Sequence, residues 1–169
     1  MPRNTLLDFL EDYSRRDAVY LVHDDGYRTR QATYREVGEA AHRFADVLRA
    51  AGFVPEDKLL IWSENRAEWI VALWGSLIAG VVVVPVDYRA SSDLVRRVSG
   101  IVRAKWVLVG DEVERAADVT GEVRQLSEVV RFFGTDGTGT GPASPHTANP
   151  VPLAEIIFTS GATAEPKGE

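Results

Sequence analysis

Trp69 to Val86 read "WIVALWGSLIAGVVVVPV", 18 residues without a charge. A stretch that long and apolar is near the minimum for a membrane span. Its internal order points elsewhere. "RAEWIVALWGSLIA" has the composition of a helix, Gly80 falls where a helix-terminating glycine belongs, and "VVVVP" is β-branched up to Pro85. The stretch therefore predicts a buried helix followed by a buried strand, not a membrane span.

The chain on either side alternates in the same way. Thr5 to Tyr13 predicts a short amphipathic helix, and "AVYLVHDDGYRTRQATY" predicts two strands around the turn dipeptide Asp25-Gly26. Thr33 with Glu36 three residues on makes a capping box for the next helix. Tyr34, Val37, Ala41, Phe44, Val47, Leu48 and Ala51 follow helical spacing there, and Gly52 ends it. "KLLIW" (Lys58 to Trp62) is a strand. Ser91 or Ser92 caps a further helix with Leu94, Val95, Val98, Ile101 and Val102 as its inward stripe. "KWVLVG" (Lys105 to Gly110) and "EVRQL" (Glu122 to Leu126) are strands, and Ser127 to Phe133 a short helix. Strands separated by helices predict an α/β fold with a mostly parallel sheet and flanking helices.

Composition narrows the function. The chain has 169 residues, about one domain's worth, with 45% hydrophobic and 26% charged residues. A net charge of −6 and the lack of any Lys/Arg run argue against nucleic acid as a partner. With no cysteine there is no disulfide framework or thiolate metal site, which fits a reducing, cytoplasmic setting. The acidic N-terminus "MPRNTLLDFLEDYSRRD" does not read as an export signal. His23, His42 and His146 fall in dissimilar settings and predict no metal site. Asp24, Asp25, Glu11 and Asp12 read as turn and surface acids, the four tryptophans as core, and Asn65 as a helix cap.

Gly134 to Pro150, "GTDGTGTGPASPHTANP", has four glycines, three prolines and no large apolar group, so it reads as a surface connection. Residues 1–133 thus form an α/β subdomain, 134–150 a Gly/Pro-rich loop, and 151–169 a last buried strand running into "FTSGATAEPKGE". Gly161 and Gly168 let backbone N–H groups turn toward an anion, Thr159, Ser160 and Thr163 add hydroxyls, and Lys167 adds a positive charge. Polyphosphate oxygens call for such donors. The order Lys167-Gly168 is not that of a Walker A loop. On composition alone, an exposed Gly/Ser/Thr-rich tail accounts for the same residues equally well.

The stretch "FTSGATAEPKG" closely resembles the signature "YTSGTTGxPKG" of the adenylate-forming superfamily, which includes acyl-CoA synthetases and peptide-synthetase adenylation domains. The upstream "TYREVGEAAHRFADVLRAAGFVPEDKLLIWSENRAEWIVALWGSLIAGVVVVPVD" resembles the N-terminal region of the same family. The resemblance covers residues 1–168, and "AEIIF" before the signature leans toward bacterial long-chain fatty acyl-CoA synthetases. Ala162 replaces a usual Thr or Ser, and Ala164 a usual glycine, which puts the backbone between them in question.

The resemblance implies that ATP phosphates are held by Thr159, Ser160, Gly161, Ala162, Thr163, Lys167 and Gly168. It implies ATP and Mg²⁺ as cofactors, with coenzyme A and a carboxylic acid as further small-molecule substrates. The groups that grip AMP, bind magnesium, line the acyl pocket and complete catalysis would lie beyond Glu169. The chain is accordingly expected to be an N-terminal fragment, inactive by itself, whose truncated sheet invites self-association. A fatty acyl-AMP ligase, an amino-acid adenylation domain, or a non-catalytic nucleotide-binding module are the alternatives. The membrane association of the parent stays open.

Overall fold

In a computed structural model of the chain, which describes residues 5–24, 26–113, 118–132, 153–159 and 167–168, the uncharged run divides at Gly80. The hairpin expected from Asp25-Gly26 forms from β1 (Val19–Asp24) and β2 (Thr29–Thr33), behind helix α1 (Leu6–Tyr13). Asp25 lies outside the described residues; Gly26, at φ 83°, donates its N–H to Asp24 Oδ1 at 2.9 Å. Helix α2 (Tyr34–Ala50) starts on the Thr33–Glu36 capping box and gives way to Gly52 at φ 79°.

Strand β3 (Lys58–Ser63) leads to helix α3 (Ala67–Ala79), which ends on Gly80 at φ 75°. The Gly80 N–H donates to Leu77 O at 3.1 Å and the Val81 N–H to Ser76 O at 2.8 Å, a glycine-terminated helix end that turns the chain straight into β4 (Val82–Asp87). No helix among the described residues is long and apolar enough to cross a membrane. Helix α4 (Ser92–Val102) starts on the Ser91 side chain and is followed by β5 (Trp106–Val109), β6 (Glu122–Gln125) and the short α5 (Leu126–Val130).

The four central strands are parallel in the order β4-β3-β5-β6. The chain enters at β3, moves outward to β4, then crosses back to β5. Alternation along each strand sends its side chains to two cores. Leu59, Ile61, Val83 and Leu108 join α2, α3 and α5 on one face. Leu60, Trp62, Val84, Val107 and Val109 join α4 on the other. Each fully buried Leu or Val adds about 1.5–3 kcal/mol, so this two-sided burial explains why the strands are unbroken apolar runs.

Helices α2 and α3 approach closely because Gly75 has no side chain. A Cβ there would lie 2.7 Å from Ala41 O and 2.8 Å from Phe44 Cδ1. Val47 and Ile101, expected inward, are 38% and 57% exposed. The inward places are taken by Ala40, Ala45 and Ser99 instead.

The last buried strand is also corrected. Residues 154–156 make one parallel bridge, Val83 with Glu155, before β7 (Phe158–Thr159), and Leu153 and Ile157 are 43% and 50% exposed. Strand β7 pairs antiparallel with β8 (Lys167–Gly168). The Gly/Pro-rich stretch 134–150 lies outside the described residues.

Candidate functional site

The returning segment meets the sheet at the outer side of β4. The Val83 N–H donates to Ala154 O at 3.0 Å and the Ile156 N–H to Val83 O at 2.9 Å, which fixes the parallel register. The bridge is isolated, and residues 156 and 157 intervene before β7 begins at Phe158. Ser63 of β3 is paired with Asp87, and Thr159 is paired with Lys167. Strands β7 and β8 form a two-stranded sheet of their own beside β4.

Of the residues expected to hold phosphate, Thr159, Lys167 and Gly168 are brought together by the β7–β8 pairing. Ser160, Gly161, Ala162 and Thr163, with Ala164 and Pro166, lie outside the described residues. Ser63 and Asp87 mark the carboxyl end of the four-stranded sheet. In parallel α/β sheets ligands bind at that end.

The same rule first directs attention to the crevice between β3 and β5, where the strand order reverses. Charged side chains of the protein fill it. The Arg66 guanidinium lies 3.0 Å from Glu64, 2.9 Å from Glu68 and 2.7 Å from Asp111. Glu64 also accepts from the backbone N–H groups of Asp111 and Glu112 at 3.3 and 3.4 Å. Burial alone lowers the Arg66 pKa, but hydrogen bonds to Glu68 and Asp111 outweigh it and hold the guanidinium above its usual range. Burial likewise raises Asp111, and hydrogen bonds from Arg66 and Gln125 bring its carboxyl below the ordinary value. One guanidinium thus serves three carboxylates, with backbone N–H groups completing the partners of Glu64, and the cluster accounts for itself structurally.

Beside it, over the carboxyl ends of β3 and β4, is an open cavity of about 370 Å³. Ser63, Asn65, Trp69, Asp87, Tyr88 and Arg89 line it. Asn65 does not cap α3. The N-cap residue is Arg66, extended at φ −150°, with no side-chain cap, so Asn65 is left on the cavity wall. Asp87 accepts from the Arg89 backbone N–H at 2.8 Å, from Nε at 3.0 Å and from Nη2 at 2.9 Å. These bonds, the side-chain ones first, hold the Asp87 carboxyl at about 2. Among the described residues no group of three or more His, Asp or Glu could hold a metal ion.

Residues 10–168 match the family described as AMP-binding enzyme. The chain is 31% identical to a mycosubtilin synthase polypeptide of Bacillus subtilis over 97% of its length, and 30% identical to the medium/long-chain-fatty-acid–CoA ligase FadD6 of Mycobacterium tuberculosis over 89%. It spans only 6% and 26% of those proteins. Among solved structures, the N-terminal subdomain of Klebsiella oxytoca NpsA in complex with 3-hydroxybenzoyl-AMSN superposes with a TM-score of 0.76 at 23% identity, over 96% of this chain and 39% of that one. O-succinylbenzoate coenzyme A synthetase from Bacillus subtilis, in complex with AMP, superposes with a TM-score of 0.77 at 20% identity, over 95% and 40%. These likenesses at low identity establish the same α/β fold. With the family match running along nearly all of the chain, it belongs to the AMP-binding enzymes, as part of their N-terminal region.

Proposed function

We propose that this chain is the N-terminal portion of an ATP-dependent acyl-CoA synthetase, in which the stretch from Thr159 to Gly168 holds the β- and γ-phosphates of ATP. The observation that carries this is the pairing of Thr159 with Lys167, which gathers the two ends of the hydroxyl- and glycine-rich stretch. Thr159, Ser160, Gly161, Ala162, Thr163, Lys167 and Gly168 are the proposed phosphate contacts. In the parent, a carboxylate attacks the α-phosphorus of ATP, giving an acyl-adenylate and pyrophosphate, and coenzyme A then displaces AMP to form the thioester. Donors from that stretch and the Lys167 charge stabilise the negative charge that gathers on the departing pyrophosphate. Bound Mg²⁺ would supply further neutralisation of the same oxygens.

A long-chain fatty acid is the proposed substrate, supported by "AEIIF" before the signature and by the likeness to the mycobacterial ligase. Likeness to mycosubtilin synthase and to phosphinothricin tripeptide synthetase of Streptomyces viridochromogenes, 33% identical over 97% of this chain, supports amino-acid adenylation as the second reading. The 169 residues alone are proposed to be inactive, since the chain spans 26% of the fatty-acid ligase.

ATP–pyrophosphate exchange by the full-length protein, with palmitate and with a panel of amino acids, separates the two. Exchange with palmitate and thioester formation with coenzyme A are expected; exchange with an amino acid alone would establish the second reading. Lys167→Ala should lower the exchange rate by about 10- to 1,000-fold.

A further inference from the structure

Four aromatic rings run in series where α1, β1 and α2 meet. Phe9 stacks on Tyr13 with centroids 6.5 Å apart, Tyr13 on Tyr34 at 5.6 Å, and Tyr34 on Tyr20 at 4.4 Å. Each plane lies within 29° of the next. With Trp74 of α3 these rings line an open cavity of about 330 Å³. A cavity of that size suits a small organic molecule, and flat walls suit a flat one.

The polar chemistry of this cavity is one-sided. The Tyr20 and Tyr34 hydroxyls and the Trp74 indole N–H make no hydrogen bond among the described residues. Ser14 already donates its hydroxyl to Glu11 O at 3.1 Å, and none of the lining residues is acidic. Arg16 adds a cation. Its guanidinium carbon stands 4.5 Å from the centroid of the Tyr13 ring, and no carboxylate among the described residues pairs with it. Its neighbours in charge are both matched, Arg15 by Glu11 and Arg35 by Asp17.

We propose that this cavity binds a planar aromatic carboxylate, with its ring against the aromatic series and its carboxylate on Arg16 and the phenol hydroxyls. The site shares no residue with the phosphate stretch and does not depend on the nucleotide function. Walls that offer donors and no acidic acceptor call for a ligand that brings acceptors. A guanidinium over a ring face still has its N–H groups to offer, and carboxylates match their fork. The rings also fasten α1 and β1 to α2. Fastening accounts for the stacking, but it needs neither the open volume nor an unmatched cation, and it predicts effects on stability alone.

The test is titration of the 169-residue protein with 2-naphthoate, followed by indole N–H and backbone amide shifts. Two further probes each lack one feature: 2-naphthamide the charge, cyclohexanecarboxylate the aromatic plane. Trp74→Phe assigns the indole signal, and thermal unfolding of each variant controls for folding. Saturable shifts at the Trp74 indole and the Arg16 amide are expected with 2-naphthoate, and weaker binding with either of the other probes. Arg16→Gln should weaken 2-naphthoate about tenfold, the loss of one charge-assisted contact, with partial recovery in Arg16→Lys. Equal binding of 2-naphthoate and 2-naphthamide, unmoved by Arg16→Gln, would reduce the cavity to an apolar gap and overturn the assignment. An unshifted Trp74 indole, or shifts confined to the other tryptophans, would do the same.

Discussion

Gly110 leaves the space that the Glu64 carboxylate fills: a Cβ on Gly110 would lie 2.0 Å from Glu64 Oε2 and 2.5 Å from Ser63 Oγ. The crevice between β3 and β5 is thereby occupied by the protein's own side chains. Gly110→Ala should displace Glu64 from Arg66 and from the amides of Asp111 and Glu112, lowering stability by about 1–3 kcal/mol. Gly100→Ala is the matched control. Its Cβ would meet only Thr120 Oγ1 at 3.7 Å, and it lies inside α4. There the substitution should stabilise by about 0.5–1 kcal/mol. Urea unfolding of both variants reads the two signs.

Arg66 is the keystone of that cluster, with its side chain 12% exposed between Glu64 at 14% and Glu68 at 6%. Arg66→Met leaves two buried carboxylates without their cation. A loss of about 3–5 kcal/mol is expected. Adding Glu68→Met should recover part of it, because an apolar group in that place needs no partner. Chemical denaturation of the single and double variants checks this, and equal losses in both would contradict it.

Acid should weaken the carboxyl end of the sheet in a defined range. Asp87, at about 2, and Asp111, shifted in the same direction, have lower pKa values in the folded protein than in the unfolded chain. Their stabilising contribution is complete above the ordinary carboxylate value of about 4. It is lost as pH falls toward 2, because the unfolded chain takes up protons first. Unfolding midpoints should fall between pH 4 and 2, less steeply in Asp87→Asn. Since the Asp87–Arg89 pair is exposed, high salt should shrink the difference between variant and wild type. An unchanged slope in Asp87→Asn would show that the pair adds nothing.

Local signals made the helices legible. The Thr33–Glu36 capping box and Gly80 each set a boundary within a residue of where it occurs, because both act through neighbours in the chain. Helix faces were less legible where small residues do the packing. Val47 is displaced to the flank of α2 because Ala40, Ala41 and Ala45 let α3 come close, and Ile101 yields to Ser99, whose Oγ accepts the Thr120 N–H at 3.1 Å. The Arg66 cluster was invisible because its acids come from segments 47 residues apart, each reading as a solvated charge. The phosphate stretch was legible as a motif, but the return of residues 154–156 to Val83 and the pairing of Thr159 with Lys167 depend on strand register, which no local pattern encodes.

Pro85 explains why the returning strand is held by a single bridge. In β4, Val83 turns both its N–H and its C=O to residues 154–156, so the next residue facing that side is Pro85, which has no N–H to donate. The ladder loses the donor that would reach Ile156 O. Pro85→Val restores it. A new hydrogen bond contributes about 0.5–1.5 kcal/mol, while losing proline's restriction of the unfolded chain costs about 0.4–1 kcal/mol. Overall stability should therefore move by less than about 1 kcal/mol. The local effect should be larger: the new amide at position 85 and that of Phe158 should exchange with solvent about tenfold more slowly than exposed amides, as paired strands do. Hydrogen exchange of the variant gives the answer. An amide at position 85 that exchanges like an exposed one would mean that something other than the missing N–H keeps the strand from zipping up to β7.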